Sequence, residues 1–345
     1  MTSRIENAAF DDSYFQQNLP QVYRATLQQF RRVTASFVFF NFLFLALFVS
    51  ELLFFLIFLP FLMQSTLLAI SLSGLFLTIF SYFVLHFYYA AKKPEQLVQL
   101  KTEFISSCRQ LTGATLSESS HHLAIAAALT RLATYLEDFE WQFYRLPALL
   151  KTFSRPLSQL SAFCHWQDVL RFKQILIYAA IDEHLHQIRL TPTDLEAHAS
   201  LANTYIALSK LFIEPNRSPN PSAFQKRKDS FNEYFRIAAR LAIDEFQILN
   251  HYAPNDPWIH EQLARGYREL SMPQEELTEV ETLIRLRPQD NELLLRLGTL
   301  YFEQGHNAKG LKIYEELKQA HFHKADDLIA SYGKLSDALP SCEMI

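Results

Sequence analysis

The stretch VTASFVFFNFLFLALFVSELLFFLIFLPFLMQSTLLAISLSGLFLTIFSYFVLHFYYAA, Val33–Ala91, holds no lysine or arginine, one carboxylate (Glu51) and one histidine (His86). A helix crossing a bilayer needs about 20 consecutive apolar residues, and this run has room for two. Pro60 and the polar Gln64-Ser65-Thr66 divide it, so the spans are predicted over about 36–59 and 66–90, joined by a tight turn. In the first span, 19 residues are Phe, Leu, Ile or Val. At roughly −0.3 to −0.6 kcal/mol each, they outweigh the roughly 3 kcal/mol cost of a carboxylate at mid-helix. The pattern predicts a transmembrane hairpin over 36–91, preceded by a cytoplasmic segment, 1–35.

Arg24, Arg31 and Arg32 precede the first span and Lys92 and Lys93 follow the second, whereas the turn carries no charge. By the positive-inside bias both termini are expected in the cytoplasm, which makes the chain an integral membrane protein with the lipid bilayer as one partner. In the second span Ser71, Gly74, Thr78 and Ser81 recur at steps of three and four. Small residues at that spacing let another backbone approach, so the first span is expected to pack there. At about 1.5 Å per residue, Glu51 lies level with Thr78 and away from His86. A hydrogen-bonded structural role is the expectation for the intramembrane pair Glu51 and Thr78. The alternative is a proton or ion path through Glu51.

Composition limits what the remainder can be. Seven glycines in 345 residues disfavour phosphate-cradling loops, Rossmann turns and hairpin-rich sheets, which leaves an all-α fold. A net charge of −4 offers no electrostatic footprint for nucleic acid. Cys108, Cys164 and Cys342 are widely spaced and odd in number, so neither a disulfide framework nor a zinc knuckle is signalled. His260-Glu261 opens a His-Glu-x-x-His pattern, but Ala264 stands where the second histidine belongs. The chain carries no nucleophile elbow, Walker loop or kinase signature. No catalytic residue, metal, cofactor or small-molecule substrate is expected.

After the hairpin, residues 92–190 read as a helical region. Pro94 is expected to break the second span from an amphipathic helix carrying Leu97, Leu100, Phe104, Cys108 and Leu111. Two more helices are predicted, about 121–146 and 167–189.

From Leu195 the pattern becomes periodic. Leu297, Gly298, Tyr301, Gly305, Tyr314 and Leu317 have counterparts one period earlier in Leu263, Ala264, Tyr267, Ser271, Val280 and Leu283, and Pro254 and Pro288 close successive units. In both period and pattern, 257–324 resembles the tetratricopeptide repeat (TPR) family, whose unit is about 34 residues. A third, degenerate unit matches at Leu201, Ala202 and Tyr205 and again at Ala242, Phe246, Leu249 and Pro254, split by an insertion near 212–232. Two positions depart from the family pattern, Gly310 where Ala is usual and its equivalent Glu276, and looser packing is expected there. Leu328, Ile329, Tyr332 and Leu335 predict a capping helix in 325–345 over Tyr314 and Leu317. The fold expected is therefore all-α: a two-helix transmembrane hairpin, then an α-helical domain ending in a TPR-like α-solenoid over 191–324.

The resemblance implies protein or peptide binding by the first helix of each repeat. Carried onto this chain, the groove positions are Glu196, Ala199, Asn203 and Ile206, then Trp258, Glu261, Arg265 and Arg268, then Glu292, Leu295, Thr299 and Phe302. Asn203, Arg265 and Arg268 resemble the pattern some members use for a peptide carboxylate. Trp258 and Phe302 would instead anchor a mixed aromatic and polar groove. A membrane-anchored, non-enzymatic scaffold is the function implied. The two short-linked apolar lobes also resemble the bilobed inclusion-membrane proteins of intracellular bacteria. That likeness implies a secretion signal in Met1–Pro20, a host vacuole membrane and host protein partners.

Overall fold

A computed structural model describes residues 13–62, 66–112, 118–143, 154–213 and 228–337. The turn at 63–65, the insertion at 214–227, the segment 1–12 and the tail after 337 lie outside the described residues. Every regular element described is helical. The described residues form two compact units, 13–187 and 188–213 with 228–337.

In the first unit α1 (Ser13–Leu62) and α2 (Leu67–Thr112) run as an antiparallel pair. Both contain segments long and apolar enough to cross a membrane, and the most hydrophobic 18-residue window of each is 0% buried. Each helix then continues far beyond the apolar run. Pro94 lies inside α2 instead of ending a helix, a departure from the sequence expectation. A mid-helix proline costs about 3 kcal/mol. Leu97, Leu100 and Phe104 are buried just beyond it, at about 1.5–3 kcal/mol each, so packing outweighs the lost hydrogen bond.

These extensions pack with α3 (Glu118–Tyr135) and α4 (Ser154–Leu190) around an aromatic core. The Phe30 ring stacks on Phe172 at 4.8 Å and meets Phe143 edge-on at 6.3 Å. Tyr23 stacks on Phe104 at 5.8 Å. The α3 helix is shorter than the 121–146 expected, because Asp138 adopts a left-handed φ of 56° that ends the helical run. Conversely, α4 starts at Ser154, well before the expected Gln167, with Pro156 in its first turn, where a missing N–H costs nothing.

The second unit is built of helix pairs: α5 (Leu195–Ile213) with α6 (Lys228–Tyr252), α7 (Pro257–Glu269) with α8 (Pro273–Leu286), and α9 (Asn291–Glu303) with α10 (Asn307–Gln319). A last helix, α11 (Ala325–Asp337), packs on α9 and α10. First helices begin at Pro257, Asn291 and Ala325 and second helices at Pro273 and Asn307, a constant step that matches the sequence period. The capping side chains recur too. Asp256 accepts from the Trp258 N–H at 2.9 Å, and Asp290 from those of Glu292 and Leu293 at 3.1 and 3.2 Å. Leu297, Leu300, Tyr301, Ile313, Leu317 and Leu328 form one buried cluster at the closed end of this α-solenoid.

Candidate functional site

The degenerate first repeat is fixed by a hydrogen-bonded clamp that recurs in the second. His198 on α5 faces the Glu245 carboxylate on α6 through Nδ1 at 2.6 Å and the Pro192 carbonyl through Nε2 at 3.0 Å. His260 on α7 faces Glu279 on α8 at 2.6 Å and the Pro254 carbonyl at 2.8 Å. Glu245 and Glu279 stand one repeat apart, and His198 and His260 one repeat plus the insertion. In the third repeat Leu294 and Ile313 take these places and pack as apolar groups. Burial works against a charged His198, but the Glu245 carboxylate and the Pro192 carbonyl outweigh it and raise its pKa.

The face presented by the first helices carries most of the residues singled out from the sequence. Asn203 is exposed on α5, and Ile206 one turn on lines a crevice with Gln262, Arg265 and Glu269. That crevice measures about 10 Å³, and nothing larger than a water fits into it. Trp258 is half-buried, its ring edge-on to Phe246 at 5.6 Å. Arg265 is exposed, with Nε donating to Glu269 Oε1 at 3.2 Å, and Arg287 lies 3.7 Å from Glu261. Ala199 is buried, and Thr299 is half-buried with its hydroxyl on the Leu295 carbonyl. Phe302 is only 3% exposed, its ring against Gly310 and 4.9 Å from that of Tyr332.

Arg268 leads to an arrangement the sequence reading did not anticipate. Its Nε donates to Glu276 Oε1 at 2.7 Å, and Arg296 grips the same carboxylate with Nε at 2.8 Å and Nη2 at 2.7 Å. Glu276 is buried, and burial alone would raise its pKa. The hydrogen bonds from Arg296 and Arg268 hold it below the ordinary 4.5. Looser packing at Glu276 and Gly310 is not what the structure has: two guanidiniums fill the first position and the Phe302 ring the second. The cue in the sequence was a carboxylate at a buried small-residue position, which demands cations within reach. Arg296, on the first helix of the next repeat, meets that demand. Because Arg265, Arg268 and Arg296 are all paired within the chain, a peptide carboxylate would have to compete with Glu269 and Glu276.

Inside the hairpin, Thr78 Oγ1 donates to Glu51 Oε1 at 2.9 Å. His86 Nδ1 instead meets Asn41 Oδ1 at 3.3 Å, which also accepts from the Tyr82 hydroxyl at 3.1 Å. Gly74 has nothing within 4 Å of where a Cβ would stand. The expected small-residue seam thus does not bring the first span against Gly74, and the contact runs through the polar side chains Thr78 and Tyr82. In the helical bundle Glu183 joins Arg109 at 3.1 Å and His122 at 2.6 Å, tying α2, α3 and α4 together. Burial pushes the Cys108 thiol up to about 12 and His165 and His184 down to about 4, so these groups stay neutral at physiological pH. Among the described residues no three His, Cys, Asp or Glu side chains are grouped to hold a metal ion.

No family model and no curated protein matches the chain. Among solved structures, a thermophilic TPR protein of Thermus thermophilus is similar at 15% identity, over 70% of this chain and 98% of that one, with a TM-score of 0.26.

Proposed function

We propose that the chain is a non-enzymatic scaffold, held in a bilayer by the α1–α2 hairpin with both termini in the cytoplasm, whose repeats bind a protein partner. The observation that carries the anchor is the bare apolar surface of the hairpin. A core helix of a soluble domain hides its apolar residues, yet the most hydrophobic windows here are wholly unburied. The Thr78 hydroxyl donating to Glu51 Oε1 and the Tyr82 hydroxyl donating to Asn41 Oδ1 pair polar atoms that lipid could not. Glu51 Oε2 is buried without a hydrogen-bond partner among the described residues.

For the repeats, the binding face we assign runs through Asn203, Trp258, Arg265 and Arg268. Phe302 belongs to the core and is left out of it. A surface of paired charges around a half-buried tryptophan suits a polypeptide with both acidic and basic side chains, bound by contact area rather than in a pocket. Proximity labelling from the carboxyl terminus tests this, with Arg265→Ala and Arg268→Ala compared with the parent chain. Loss of the same labelled protein from both variants supports the face. An unchanged set removes it. Arg265 is the cleaner probe because the ion-pair partner it has among the described residues, Glu269, is not part of the buried network.

A further inference from the structure

Helix α6 buries Ala238, Ala242, Phe246 and Leu249 in its own unit, yet Tyr234, Ile237, Leu241, Ile248 and Tyr252 on the same helix are each between 37% and 56% exposed. At about 100° per residue these five fall within roughly 60° of arc and form a row about 27 Å long. Single exposed apolar residues are ordinary, whereas five on one helix face mark a contact surface, interrupted between Leu241 and Ile248 by Asp244 and Glu245.

We propose that this row joins two copies of the chain, with α6 lying antiparallel on α6 of the second copy. A two-fold contact needs a patch that complements itself, so that when one residue meets a second, the second meets the first. Centred near Ala242 and Ile243, the antiparallel register sets Tyr234 against Tyr252, Ile237 against Ile248, and Leu241 about one turn along the axis from its own counterpart, near Asp244. The charged flank fits the same register. Arg240 falls opposite Asp244 and Glu233 opposite His251; all four are exposed, and none forms an ion pair with a described residue. A parallel pairing would carry this flank to the opposite side of the second copy, so Arg240 and Asp244 would lose these partners.

Other occupants fit less well. An interfacial membrane helix carries an excess of basic residues on its polar face. Here Glu233, Arg236, Arg240 and Asp244 balance. The insertion at 214–227 brings, besides its prolines, only Ala223 and Phe224 as apolar side chains, too few to cover five. One helix row falls short of the roughly 800 Å² per partner of a stable interface, so association should be weak in dilute micelles and stronger when two copies share a bilayer.

Oxidative cross-linking of the full chain in proteoliposomes tests the register. The background carries Cys164→Ser and Cys342→Ser and keeps Cys108, whose thiol is buried. Leu241→Cys alone should give at least about tenfold more disulfide-linked dimer than the background. Tyr234→Cys and Tyr252→Cys should cross-link when the two chains are mixed and not singly. Arg240→Asp and Asp244→Arg, each on the Leu241→Cys chain, should abolish the dimer singly and restore it when mixed. Self-linking by Tyr234→Cys would show a parallel contact and overturn the register. Absence of any dimer would overturn the proposal, as would vesicle-dependent shielding of these cysteines without cross-linking, which would assign the row to lipid.

Discussion

Two equivalent residues, Glu276 and Gly310, show how single side chains hold the repeats. A Cβ on Gly310 would stand 2.5 Å from Phe302 Cε1 and 2.6 Å from Cδ1, and Tyr332 limits the ring's retreat. Alanine gains about 1 kcal/mol in helix propensity, but overpacking costs roughly 1–3 kcal/mol. Gly310→Ala should therefore lower the Tm, whereas Gly74→Ala, with open space around it, should not, and thermal melts of the two variants check this. At position 276 the charge itself is held. The folded carboxyl titrates below its ordinary 4.5, so its contribution is fully present above that value and is lost as the pH falls through the depressed one. Glu276→Gln should cost about 2 kcal/mol at neutral pH, the scale of hydrogen bonds to a charged group. Urea midpoints of parent and variant should converge as the pH is brought below 4.5. A gap of the same size in acid would show that packing, not charge, makes the contribution.

At the scale of elements, periodicity was readable where one helix face does one job. The constant step from Leu263 to Leu297 and from Pro254 to Pro288 foretold where α7 to α10 stand, because each pair buries the same positions against its neighbour. What the pattern missed lies where tertiary contacts override local preference. Pro94 looked like a helix end and is spanned because Leu97, Leu100 and Phe104 bury beyond it. The interhelical Arg268–Glu276–Arg296 network was invisible to a reading that took each helix alone. So was the burial of Phe302, which shares its register position with the exposed Arg268 and turns inward only because Gly310 leaves room. The cap α11 can be tested as an element. Leu328 is buried against Gly298 and Ile313, and Leu328→Ala should cost about 2–5 kcal/mol. A chain ending at Lys324 should expose Leu297, Ile313 and Leu317 and lose solubility, which sedimentation after mild heating measures; unchanged solubility would mean α11 is dispensable.

On the proposed anchoring, the first unit determines how the molecule would meet a membrane. Where the apolar runs end, the helices do not, and charged residues at that boundary are built into the bundle that follows. Lys93 Nζ lies 2.5 Å from the Asp168 carboxylate and 4.3 Å from the Phe37 ring, and Arg31 donates to the Phe143 carbonyl. Such anchored cations would sit poorly in lipid, so on the proposed anchoring the bundle and both basic flanks would share one side and the uncharged turn would face the other. The expected topology is tested with Gln64→Cys in the turn and Lys318→Cys on the exposed face of α10, using a membrane-impermeant maleimide on sealed vesicles of known orientation. Gln64→Cys should react only from the side opposite the basic flanks. Lys318→Cys should react only from the side that bears them, and neither pattern should change with Glu51→Gln if that carboxylate serves packing. Labelling of both cysteines from one side, or recovery of the full chain from aqueous buffer without detergent, would show that the hairpin does not cross. The bare rows of Phe, Leu and Ile on α1 and α2 would then need a protein, and not a bilayer, to cover them.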